Sequence, residues 1–278
     1  MKPDVIPPKV LEEYSRPKLT MATHRSWNSC MLRLFSVYPR AEYRPTSQYW
    51  LFKSGLKISM LNRVMQTSLK PIETDQAISD VKQFFEPEHL PFTWQVDPWD
   101  KPRDLAERLE EAGFRRDETP GMAVKIDELV EPVQPQGFRY ERVDSPEKLD
   151  AYAWLMVKAY GMPEHAWGWL TGGFKYHGVV DDFQHYIGYL DGKPVATSSI
   201  QYSDGVAGLY NVATLPEARG KGIGAVISHA PFIDAQERGY RFGILHSTRM
   251  GYNVYKRLGF EEICKLVRYQ WNPAEGAT

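Results

Sequence analysis

The sequence predicts a mixed α/β chain, α+β-like in character, with a central mixed, mostly antiparallel sheet flanked by helices and repeated in two domains. Three observations predict it. At 278 residues the chain is longer than one ordinary domain needs. Its second half alternates period-two and period-3.6 apolar patterns in the order strand, helix, three strands, helix, strand, helix, strand. The turn dipeptides Asp191-Gly192 and Asp204-Gly205 join the three consecutive strands as hairpins, which makes them antiparallel.

Residues 129–137, LVEPVQPQG, have the proline and glycine content of a connector, so the expected division is 1–130, a linker over 131–137, and 138–278. After it, Phe138–Val143 reads as a strand. Ser145 then caps a helix to Tyr160, with Glu147 in its first turn and Leu149, Ala153, Leu155 and Met156 mostly on one face. Residues 161–180 read as irregular, with one short helix and a loop. The strands FQHYIGYL, PVATSSIQY and AGLYNVATL follow. From Gly220 to Gly239 the stripe Ile223, Val226, Ile227, Ala230 and Ile233 predicts an amphipathic helix, kinked or restarted at Pro231, which lacks the donor for the Ile227 carbonyl. Phe242–His246 is a strand, Met250–Leu258 a helix stopped by Gly259, and Glu262–Trp271 a last strand.

Composition narrows the function. A hydrophobic fraction of 42% supplies a core, while a net charge of −1 with no basic stripe argues against nucleic acid as partner. Cys30 and Cys264 stand far apart without metal-ligand spacing, so no metal is expected and a reducing, cytoplasmic setting fits. The N-terminus lacks the apolar stretch of a signal peptide, and no run of about 18 apolar residues exists to enter a membrane.

The chemistry sits in Leu209–Gly224, LYNVATLPEARGKGIG, a strand ending at Pro216 that runs through a glycine-rich loop into a helix. Gly220, Gly222 and Gly224 allow close approach, so backbone N–H groups and the positive helix end can cradle a phosphate or pyrophosphate, with Arg219 and Lys221 adding charge. The spacing fits neither the dinucleotide nor the Walker loop. Arg219, Gly222 and Gly224 do match the R/Q-x-x-G-x-G/A signature of the GNAT acyltransferases, and NVATLPEA before it and VYKRLGF at 254–260 resemble that family's central strand and closing motif. The resemblance implies acetyl-CoA as cosubstrate, its pyrophosphate on Arg219, Gly220, Lys221, Gly222, Ile223 and Gly224. It also implies that the pantetheine arm runs along Val212, Ala213 and Thr214 like an added strand.

Acyl transfer to an amine has two proton problems. An alkylammonium of pKa near 10 is neutral in only about one molecule in a thousand at pH 7, and the departing thiolate, of pKa about 8.5, needs a proton. Tyr255 stands where the family commonly carries the general acid. Thr248 stands where the family often has an asparagine on the cofactor, and its hydroxyl can substitute. The base stays open: His246 at a strand end is chemically suitable, Tyr210 and Asn211 in the strand expected to line the acyl pocket can order a water, and Asp181 or Asp182 can approach from the preceding loop. Trp167, Trp169 and Tyr176 are expected either to wall the acceptor site or to cap the sheet.

The first half repeats the landmarks of the second. LEEAGF at 109–114 parallels YKRLGF at 255–260, and SMLNRVMQTSL parallels GLYNVATLPEA, with a helix from Thr74 to Phe85, a strand FTWQV and a helix RDLAERLEEAG between them. Its loop is LKPIETDQA, and Leu109 replaces the tyrosine, so this copy is expected to be degenerate and unable to bind the cofactor. The expected activity is direct N-acetylation of a small-molecule amine. A protein lysine or N-terminal acetyltransferase and a non-catalytic acyl-CoA sensor are the alternatives.

Overall fold

A computed structural model of the chain describes residues 10–35, 41–177 and 180–273. In chain order the elements are α1 (Arg16–Phe35), β1 (Glu42–Pro45), β2 (Trp50–Lys53), β3 (Asn62–Met65), α2 (Thr74–Phe85), β4 (Phe92–Val96), α3 (Leu105–Glu111) and β5 (Arg115–Lys125). They continue with β6 (Phe138–Arg142), α4 (Pro146–Tyr160), α5 (His165–His177), β7 (Phe183–Leu190), β8 (Lys193–Ser203), β9 (Val206–Thr214), α6 (Ile223–Glu237), β10 (Phe242–His246), α7 (Tyr252–Arg257) and β11 (Glu261–Trp271). Mixed α/β architecture is therefore as expected. No helix among the described residues is long and apolar enough to cross a membrane.

Contacts divide the chain into two units, one of Met1–Met31 with Pro120–Cys264 and one of Leu32–Thr119 with Lys265–Thr278. This is not the expected division at 131–137, which falls inside the first unit. The cause is strand pairing between residues remote in sequence: β5 lies antiparallel to β10 through Gly121–Lys125, and β11 antiparallel to β4 through Val267–Trp271. Each half of the sequence thus lends its last strand to a sheet built mainly from the other half, which connector composition does not reveal.

In the first unit the strands run β5–β10–β9–β8–β7–β6. All neighbours are antiparallel except β9 and β10, which are parallel. Side chains alternate between the faces. His185 of β7 meets Ser199 on the face of Tyr152 from α4, and its successor Tyr186 meets Asp234 of α6 on the other face. Ser145 caps α4 by accepting from the Lys148 N–H at 3.3 Å. The α6 helix buries Ile223, Val226, Ile227 and Ala230 as expected, but Ile233 is exposed and Phe232 takes the inward position. It also continues as one helix through Pro231, whose ring is buried, so packing against the sheet outweighs the lost hydrogen bond.

Two helices depart from expectation. Residues His165–His177 form α5, a regular helix rather than a mostly irregular stretch. Its buried residues Ala166, Leu170 and Phe174 keep the four-residue step, which Gly168, Gly172 and Gly173 obscure. The helix α1 was not foreseen at all, because its inward face mixes Leu19 and Ala22 with Thr23, Ser26 and Asn28, all buried. Polar residues there are tolerated only because partners reach them, as when Ser26 Oγ meets the Tyr210 hydroxyl at 2.9 Å.

The second unit orders its strands β1–β2–β3–β4–β11, antiparallel except for the parallel pair β3 and β4. Its core joins Val64, Val81, Phe85, Phe92, Trp94 and Leu109.

Candidate active site

The site begins where two parallel strands part. Pairing between β9 and β10 covers Ala207–Leu209 against Gly243–Leu245 and stops. Beyond it β9 stays with β8 as far as Thr214, across a bulge at which Asn211 takes the left-handed conformation, φ 53°. Meanwhile the chain after β10 stays with β5, the Ser247 N–H donating to the Pro120 carbonyl at 2.9 Å. The end of β9 therefore presents one edge that β10 does not pair. Two of its carbonyls are occupied. The Tyr160 hydroxyl donates to Val212 O at 3.1 Å, and Arg219 Nε donates to Thr214 O at 3.0 Å. A strand residue turns its N–H and C=O to the same side, so the N–H groups of Val212 and Thr214 lie on this edge, with Ala213 turned toward β8.

The loop after β9 leaves a run of backbone donors without backbone acceptors among the described residues. Gly220 and Gly222 have φ of 77° and 82°, a region that costs any other residue about 1–2 kcal/mol. Among the described residues, no backbone carbonyl accepts from the N–H groups of Gly220, Lys221, Gly222, Ile223 or Gly224. These donors sit at the positive end of α6. Gly224 lies in the helix without positive φ, and an added Cβ would meet only Thr214 Oγ1 at 3.9 Å, so the protein's own packing does not require a glycine there. Arg219 does not extend into this space: it braces the backbone, with Nη2 donating to Ala159 O at 3.1 Å beside its bond to Thr214.

Tyr255 comes from α7 and is buried, with Ser228, one turn along α6 from Gly224, within interaction range of its hydroxyl. Ser228 Oγ in turn donates to Gly224 O at 2.6 Å. Burial pushes the Tyr255 hydroxyl up to about 12, with Ser228 opposing the shift, so it is protonated throughout the neutral range. Tyr160 lies within electrostatic reach of it. The fold thus gathers the anion loop, the open edge of β9 and two tyrosines, of which Tyr160 had no signal in the sequence. Thr248 spends its side chain locally, accepting from the Gly251 N–H at 3.2 Å at the start of α7.

On the α4 face a buried polar cluster surrounds the bulge. Ser199 Oγ is bonded to the Tyr152 hydroxyl, to His185 Nδ1 at 2.8 Å and to Asn211 Nδ2 at 3.3 Å. Tyr210 is buried, its ring 6.2 Å from that of His246 and 5.9 Å from that of Trp27 on α1. His246 meets Trp27 edge-on at 5.1 Å. Both Tyr210 and His246 therefore belong to an aromatic layer under α1. Trp167 is on the exposed side of α5 and Trp169 is half-buried, while the Tyr176 side chain lies outside the described residues. Cys264 packs against Gly121, and burial raises its thiol to about 11, so it is un-ionised at neutral pH and unsuited to carry an acyl group.

The family model of the acetyltransferase (GNAT) domain matches residues 181–262, the span that holds the bulge, the loop and Tyr255. Over that span the chain is similar to a GNAT acetyltransferase domain. A GCN5-related N-acetyltransferase from Kribbella flavida shares the fold of this chain at a TM-score of 0.63 and 21% identity, over 90% of this chain and 95% of that one. A tandem GNAT protein from the clavulanic acid biosynthesis pathway aligns at a TM-score of 0.57 and 15% identity, over 96% of this chain and 90% of its own. A functionally unknown conserved protein from Staphylococcus epidermidis aligns at 0.60 and 14% identity, over 85% and 96%. No curated protein matches the sequence.

Proposed function

We propose that the first unit is an acetyl-CoA-dependent N-acetyltransferase that passes an acetyl group directly to an amine of a small molecule. One observation carries this reading: an open strand edge, an unpaired N–H cradle and a protonated tyrosine meet at the same strand-to-helix turn. Acetyl-CoA supplies the activated thioester. The N–H groups of Val212 and Thr214 hold its arm as an added strand, and those of Gly220–Gly224 hold its pyrophosphate. Lys221 adds charge at the same loop, and Arg219 acts by fixing the ends of α4 and β9.

Tyr255 serves the leaving sulfur. A hydroxyl at about 12 is a weaker acid than a thiol near 8.5 by about three units, about 4–5 kcal/mol. Its first contribution is therefore a hydrogen bond to the developing thiolate, with the proton crossing late. On the acceptor side the amine loses a proton to solvent, and no side chain of the first unit is assigned as its base. The second unit reads as a degenerate copy. Its β3-to-α2 turn is Lys70–Glu73, closed by an ion pair at 3.0 Å and carrying no glycine, and Leu109 is buried where the first unit has Tyr255.

The test is release of free thiol from acetyl-CoA in the presence of a panel of small amines, lysine peptides and N-terminal peptides. Small amines should be the substrates, and Tyr255→Phe should lower kcat by about an order of magnitude or more with the acetyl-CoA Kd retained. Binding without turnover on any acceptor would favour an acyl-CoA sensor, and unchanged kcat in Tyr255→Phe would remove the tyrosine from the mechanism.

A further inference from the structure

The connector Leu129–Gly137 has so far been only a tether, yet it is fastened beside the anion loop. The Val130 N–H donates to the Leu258 carbonyl at the end of α7 at 3.1 Å. Gly259 accommodates this approach, since a Cβ there would meet the Glu128 carbonyl at 3.4 Å. A few residues on, Pro135 Cγ and the Val133 carbonyl lie 3.7 and 3.9 Å from where a Cβ on Gly222 would be. Gln134 closes the segment by donating to the Phe138 carbonyl at 2.8 Å. The connector therefore spans from the end of α7 to the N-terminus of α6, and all of it belongs to the first unit.

Its side chains are unusual for a tether. Val133 is 90% exposed and Val130 54%, two β-branched apolar residues left in water on a segment stiffened by Pro132 and Pro135. Val133 and Pro135 stand next to Gly222 and the backbone donors of the loop, while Val130 lies toward α7. We propose that this connector is the platform for the adenosine end of coenzyme A, with Val133 and Pro135 packing against the adenine once the pyrophosphate is on Gly220–Gly224. The inference rests on the acetyl-CoA reading above. The segment offers apolar contact and no cation: Glu131 is its one ionisable side chain and acts electrostatically on His229 of α6. It thus suits the base rather than the 3′-phosphate.

The experiment compares acetyl-CoA with S-acetyl-4′-phosphopantetheine, which keeps the arm and one phosphate and lacks the adenylate. The full chain and a Val133→Ser variant are titrated with both compounds, with an unchanged melting midpoint as the check on folding. The replacement is neutral and exposed, so neither folding nor charge confounds the result. The variant should bind acetyl-CoA about fivefold more weakly and the truncated compound with unchanged affinity. Equal weakening for both compounds, or none for acetyl-CoA while the parent chain binds it, overturns the platform and leaves the cofactor reading standing. A parent chain that binds neither compound overturns both.

Discussion

Replacing Gly224 by alanine should raise stability and leave cofactor affinity nearly unchanged. The residue has helical geometry, and its added methyl meets only Thr214 Oγ1 at 3.9 Å, an ordinary contact. Without strain or clash, alanine in a helix is worth about 0.5–1 kcal/mol over glycine. For a unit of this size that is a rise in melting midpoint of about 1–4 °C. The signature that the loop resembles admits glycine or alanine at this position, so the methyl leaves the Gly224 N–H open to a phosphate oxygen at about 2.9 Å. Acetyl-CoA affinity should stay within about threefold, which is under about 0.7 kcal/mol. Gly222→Ala provides the contrast, because its φ of 82° makes alanine strained, and both the midpoint and the acetyl-CoA affinity should drop. Thermal melts without ligand and calorimetric titration with acetyl-CoA read the two quantities separately. A lowered midpoint in Gly224→Ala would refute the packing reasoning, and an unchanged affinity in Gly222→Ala would refute the anion site.

Other expectations test the remaining parts. Asn211→Gly keeps the left-handed conformation and loses the Ser199 bond, whereas Asn211→Ala adds about 1 kcal/mol of strain, so denaturant midpoints should order as Asn, then Gly, then Ala. Calorimetry should count one cofactor site per chain, and two would contradict a degenerate second unit. Burial, reinforced by repulsion from Asp97, raises the Asp100 carboxyl of the second unit to about 8. Folding therefore favours its protonated form, and the associated stability is present at pH below about 4 and lost as pH rises toward 8. Asp100→Asn, which can still accept from the Asp97 N–H at 2.9 Å, should raise the melting midpoint at pH 8 and have little effect at pH 4.

Much of this was legible because it is local. The turn from β9 through Gly220 and Gly222 into α6 needs particular residues at particular positions, since φ of 77° and 82° exclude most side chains. The hairpins joining β7, β8 and β9 carry their Asp-Gly dipeptides for the same reason, with Asp191 and Asp204 at positive φ. Where the signal was diluted, the reading failed: glycines hid α5, and buried polar residues hid α1.

The sequence by itself determined the mixed α/β class and the positive-φ turn from β9 into α6, and it nominated the loop and Tyr255 for the site, because backbone conformation and residue chemistry are written within a few neighbouring positions. Only the tertiary structure decided which strands pair across the chain, and so that the first unit extends back to α1 and ends within β11. It also decided the roles of side chains whose partners are remote in sequence. Arg219 turned inward to Ala159 and Thr214, Tyr160 reached the edge of β9, and Tyr210 withdrew toward Ser26. Each of these depends on where a distant backbone comes to rest, a property of packing that no short stretch of sequence encodes.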